Sequence, residues 1–193
     1  MGATSSRMLS VAAQQFAEKG YSGASMRSIA NATGITQAAI YHHFPNKQAL
    51  YMAVLARHLE EKISATVQDL AKIDDPEKCL RELIRRLLQL TEEDEHFRQL
   101  YFRELLEGNK ERLTALAKNV FGDLLESVGG LLRKLAPQFD LNLLLLSVAG
   151  LVCHHVEARK LSPFLPGSKA KHQELDTLSR HISDLLLYGV RGP

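Results

Sequence analysis

SMRSIANATGITQAAIYHHFPNKQAL, residues 25–50, decides how this chain is read. Ser25 is a good N-cap, and Met26 to Thr33 behind it make a short helix with Ile29 and Ala30 inward. Gly34 supplies the left-handed residue of a tight turn. Thr36 caps the next helix, Gln37 to Phe44, and Ile35 and Ile40 are spaced for a hydrophobic staple around it. Pro45 stops that helix, and Asn46 can cap the one that follows. Two short helices across a glycine turn are the layout of a helix-turn-helix reader of DNA.

The chemistry of the second helix agrees. A reading helix needs small or polar residues at its start and an apolar inner face. Gln37 can bond an adenine edge bidentately, and Ala38 or Ala39 can touch a thymine methyl. Ile40 and Phe44 face inward, leaving Tyr41, His42 and His43 for the outer surface. Lys47, opening the next helix, offers its charge and free backbone N–H groups to a phosphate.

Outward from this stretch the pattern is helical throughout. Leu9, Ala12, Ala13 and Phe16 define one stripe of a first helix over 5–19, which Gly20 ends. Further helices are expected over 47–72, 76–93, 95–107, 110–135, 140–160 and 169–188, the last after a proline-rich loop around 162–168. The fold class is all-α, with about nine helices. The expected domains are 1–50, a three-helix DNA-binding domain, and 51–193, a larger helical effector-binding and dimerisation domain, with helix 47–72 linking them.

Charge and composition fit a globular, DNA-binding chain. The net charge of +2 is uneven: residues 1–62 hold six Lys or Arg against three acids, and the rest carries the balance. No secretory leader pattern stands at the N-terminus, which places the protein in the cytoplasm. The longest apolar run, Leu141 to Cys153, is 13 residues, short of the roughly 20 that span a bilayer, so it reads as a buried helix with no membrane role. It is apolar on nearly every face, and the stripe Leu175, Leu178, Ile182, Leu185 and Leu186 lies on the last helix. A homodimer through 140–160 and 169–188 is therefore expected. Cys79 and Cys153, without a CxxC partner, read as reduced structural residues.

Residues 5–55 resemble the TetR family of bacterial transcriptional regulators. The resemblance rests on Phe16, Gly20, Ile29, Ala30, Gly34, Ile40, Tyr41, Phe44, Lys47 and Leu50 in their order and spacing. It implies a homodimer that binds a palindromic operator in double-stranded DNA, most often as a repressor, and lets go when a small molecule binds. Position by position it implies base reading by Gln37 and Ala38 and phosphate contacts from Tyr41, His43 and Lys47, with Ser25, Arg27, Thr36 and His42 nearby. Arg98, Tyr101, Phe102 and Arg103 on one helix, with His154, are the candidate effector contacts.

No catalytic signature, cofactor motif or metal motif is present in the sequence, so neither an enzyme nor a cofactor is expected. The alternative is a small helical metal-binding protein or enzyme using His154, His155 and Glu157, of which His154 and Glu157 share a helix face.

Overall fold

The caps written in the sequence are made. In the computed structural model, which describes residues 3–189 apart from the side chains of 3, 58–62 and 97, the chain is all-α, with no strand among the described residues. Ten α-helices are present among those residues: α1 (Ala3–Gly23), α2 (Met26–Thr33), α3 (Gln37–His43), α4 (Lys47–Leu70), α5 (Pro76–Glu93), α6 (Glu95–Glu107), α7 (Lys110–Ala115), α8 (Gly122–Leu135), α9 (Leu141–Glu157) and α10 (Leu175–Tyr188).

Ser25 accepts from the Ser28 N–H at 3.0 Å, and the Ser28 hydroxyl takes the Ser25 N–H in return, closing a capping box. Gly34 follows α2 with φ +76°, its N–H returning to the Ala30 and Asn31 carbonyls. Thr36 Oγ1 accepts from the Ala39 N–H at 3.1 Å, and Asn46 Oδ1 from the Ala49 N–H at 2.8 Å. Asp75 and Asp140 cap α5 and α9 in the same manner.

In α1 Gly20, with φ 72° and ψ 174°, breaks the helix where its end is expected, and one further helical turn carries the element to Gly23. The Arg103 guanidinium lies over this residue, but its flexible end could shift from an added Cβ, so it is the positive φ that asks for glycine here. Two helices depart from expectation. The expected helix 110–135 is broken: a π-helical turn over Leu116–Val120 separates α7 from α8. That wider turn buries Leu116 and Val120 together and leaves the Phe121 ring edge-on to Tyr101 at 6.1 Å. Before α10, Ala170–Gln173 form a 3-10 turn and Glu174 is extended. There the Lys169 N–H donates to the His172 ring, a local alternative to a continuing helix.

Packing gathers the chain into two compact units. One holds the residues up to Lys62 together with Asp94–Gly122, the other Ile63–Glu93 together with the residues from Asp123 on. The expected domains, 1–50 and 51–193, are drawn differently, because α6 and α7 pack with the N-terminal helices.

In the first unit the core is Met8, Leu9, Phe16, Ile29, Ile40, Leu50, Tyr51 and Leu55. Phe16, Tyr21 and Tyr51 form an aromatic trio, with Tyr51 edge-on to the other two at 4.9 and 5.0 Å. Arg57 ties α4 to α1, donating to the Ser6 hydroxyl at 2.6 Å.

In the second unit α9 and α10 both pack on α5, whose Leu80, Leu83, Ile84 and Leu88 are buried. α9 buries Val148, Val152 and Val156, one seam only. Leu143 and Leu146 stay 64% and 62% exposed, so the burial expected on every face is absent within one chain. Continued to Lys160, this stretch is long and apolar enough to cross a membrane by length and composition. Cys79 is buried and Cys153 half-buried, and no disulfide joins them.

Candidate nucleic-acid interface

Caps and turns aim three helix starts at one patch. The bend at Gly20, the Ser25 box, the Gly34 turn and the Pro45–Asn46 corner fix where α2, α3 and α4 begin. Gln15 secures the first of these, accepting from the Ser28 hydroxyl at 2.7 Å.

A surface concavity of about 430 Å³ lies among these starts. Ser25, Arg27, Gln37, Tyr41 and Lys47 all line it, with Ser22 and Asn46. Arg27, Gln37 and Tyr41 are exposed. Thr36 and Ala38 are exposed on the first turn of α3, but they lie outside the concavity. His42 and His43 are exposed at the far end of α3, their rings 5.7 Å apart and edge-on. Ile40, wholly buried, and Phe44, 9% exposed, anchor the back of α3 in the core. The patch therefore offers a guanidinium, an ammonium, hydroxyls, a carboxamide and helix N–H groups on one side. Its chemistry suits an anionic polymer whose edges can be read by an amide.

Lys47 is held by groups that the pattern of residues 25–50 does not contain. Its Nζ donates to the Ser22 carbonyl at 3.4 Å and stands 4.5 Å from the Tyr21 ring centroid. The Arg112 guanidinium of α7 lies 4.2 Å from the same centroid. Arg112 Nε donates to both oxygens of Glu104, at 2.7 and 3.0 Å, and its Nη2 to Glu107 at 2.6 Å. Partial burial, and then the Arg112 charge, lower the Lys47 pKa, while Glu107 opposes them. Burial, and then Glu104, which also accepts a hydrogen bond from its hydroxyl, push the Tyr51 phenol up. Sequence reasoning placed none of Tyr21, Glu104 and Arg112 near Lys47, because no local spacing links them.

The candidate effector residues fall in both units. Arg98, Tyr101, Phe102 and Arg103 are on α6 in the first, and His154 is exposed on α9 in the second. Arg103 is engaged within its own unit, donating to the Ala17 carbonyl at 3.1 Å beside Gly20. Tyr101 and Phe102 pack edge-on at 5.7 Å. A separate cavity of about 310 Å³ in the second unit is lined by Leu70, Leu83, Val128 and Leu131, with Cys79, Asp74, Glu126 and Lys134. None of the five candidate residues lines it.

The metal alternative lacks a ligand set. Among the described residues no three His, Cys, Asp or Glu side chains are placed to hold an ion. His155 instead turns its Nδ1 to the Leu151 carbonyl at 2.7 Å and its ring edge-on to His181.

The patch and its scaffold define a helix-turn-helix unit. Residues 8–54 match the family model described as bacterial regulatory proteins, tetR family. The transcriptional activator FasR of Mycolicibacterium smegmatis is 32% identical over 96 residues, 50% of this chain and 44% of that protein. The chain spans less than two thirds of the length of the first curated relatives it matches. The whole fold is similar to FadR from Bacillus subtilis in complex with stearoyl-CoA, with a TM-score of 0.77 at 19% identity over 96% of this chain and 98% of the other. It is also similar to AibR in complex with isovaleryl coenzyme A and operator DNA, with a TM-score of 0.68 at 22% identity over 95% and 98%.

Proposed function

We propose that this protein is a ligand-responsive, sequence-specific DNA-binding regulator that acts in the cytoplasm as a homodimer. The convergence of Ser25, Arg27, Gln37, Tyr41 and Lys47 on one concavity carries the reading. α3 enters the major groove, with Gln37 and Ala38 at base edges. Tyr41, His43 and Lys47 take phosphates, supported by Ser25, Arg27, Thr36 and His42. Two copies joined through α9 and α10 bind a palindromic operator, with half-sites about one helical turn, roughly 34–36 Å, apart. The uncovered Leu143 and Leu146 support a second copy as the partner of α9. The DNA-binding and ligand-binding domains are 1–50 and 51–193, joined by α4. The protein represses, and a small-molecule effector releases it; no catalytic role is proposed.

The effector fits best in the cavity lined by Leu70, Leu83, Val128 and Leu131, whose size is at the low end for ligand pockets. Arg98, Tyr101 and Phe102 on α6 and His154 on α9 are further contact candidates. Stearoyl-CoA and isovaleryl-CoA are the first probes, since proteins of similar fold bind them.

Repeated selection of random duplexes on the purified protein tests this reading. A two-fold symmetric consensus, bound less tightly as salt rises, is expected. Recovery of no enriched sequence would overturn it.

A further inference from the structure

Tyr21 carries two cations on one ring, and the second has no business there unless its charge is spent. Arg112 and Lys47 stand 4.2 and 4.5 Å from the Tyr21 centroid. Like charges that close repel, and the pair persists because Glu104 and Glu107 neutralise Arg112. Glu104 is 1% exposed and Arg112 10%, so this ion pair is shielded from salt and water. Breaking such a pair leaves an uncompensated buried charge, so the pair keeps its geometry. Tyr51, edge-on to Tyr21 at 5.0 Å, holds the ring from a further side and gives its hydroxyl to the same Glu104. The Tyr21 ring is thus fixed by α4, α6 and α7, while Lys47 rests on it with one long bond to Ser22.

We infer that Tyr21, braced by Arg112 and the buried Glu104, is the positioning residue that pre-sets the Lys47 ammonium for its phosphate. A free lysine side chain must lose rotamer freedom to hold one anion, and a lysine already resting on an aromatic face has lost part of it beforehand. The arrangement also gives α6 and α7 a hold on the DNA-facing surface through contacts inside the first unit. This inference rests on the reading of Lys47 as a phosphate contact.

The test is a double-mutant cycle on binding to a random-sequence duplex, with the full chain. Lys47→Ala is expected to weaken binding. Tyr21→Leu is expected to raise Kd roughly two- to fivefold where Lys47 is present, the size of an exposed cation–π contact. In the Lys47→Ala background it should change nothing further. Tyr21→Phe, which keeps the ring, should restore Kd. A readout without DNA runs alongside: after reductive 13C-methylation, the Lys47 methyl resonance should show a ring-current displacement that Tyr21→Leu removes and Tyr21→Phe keeps. If Tyr21→Leu weakens binding equally in both backgrounds and the Lys47 resonance does not move, the positioning role is overturned and the phosphate contact stands. If Lys47→Ala itself leaves Kd unchanged, the phosphate contact falls, and this inference with it.

Discussion

Gln37 and Lys47 both line the concavity, and the proposed reading gives them different tasks that substitutions separate. Gln37 offers a carboxamide that discriminates among base edges. Gln37→Ala is expected to cost about 1–3 kcal/mol at one operator position and to relax preference there, read by titrating single-base operator variants. Operator variants ranked as before would remove Gln37 from the readers. Lys47 offers charge, which every sequence accepts. Lys47→Ala should weaken specific and random duplexes alike and flatten the salt dependence by about one counterion, measured from log K against log salt. The same residues show what could be read in advance. Ser25, Gly34, Thr36 and Asn46 act within four residues of themselves, so their spacing disclosed the helix starts. The Tyr21 ring meets Arg112 only through the fold, and no window of sequence contains both.

Helices follow the same division. α2 and α3 have the limits that their caps announce, because one side chain satisfies the open N–H groups at each start. The π turn at Leu116–Val120 was not legible: it answers to the packing of Leu116, Val120 and Phe121, not to a breaker in the sequence. α5 adds a pH prediction. Its Glu82 accepts from Arg85 at 2.9 and 2.6 Å and from Arg86 at 2.6 Å. The Arg85 hydrogen bonds foremost hold the carboxyl at about 2, against an ordinary 4.5. A carboxyl depressed on folding contributes stability above its unfolded value, and the contribution fades as pH falls from 4.5 through 2. Glu82→Gln should therefore lower stability at neutral pH and reduce the loss between those limits, followed by urea melts at stepped pH. Parallel stability curves for the two proteins would deny Glu82 this part.

At the scale of the molecule, the proposed dimer turns on α9. Its valine seam is covered by its own chain while Leu143 and Leu146 are not. Leu146→Glu should shift sedimentation from dimer to monomer, and operator affinity should fall with it, since two half-sites would no longer be bound as one. A variant still sedimenting as a dimer would place the interface elsewhere.

The gathering of α6 and α7 with the N-terminal helices bears on how such a regulator could be cut and recombined. A fragment ending at Lys62 would lose Arg103 from beside Gly20 and Glu104 from the Tyr51 hydroxyl. It would leave a phenol in an apolar core with its acceptor gone. If the proposed reading holds, a chimaera that swaps specificity between two such chains should carry residues 94–122 along with the first 62, so that the transplanted helices keep the partners they pack with.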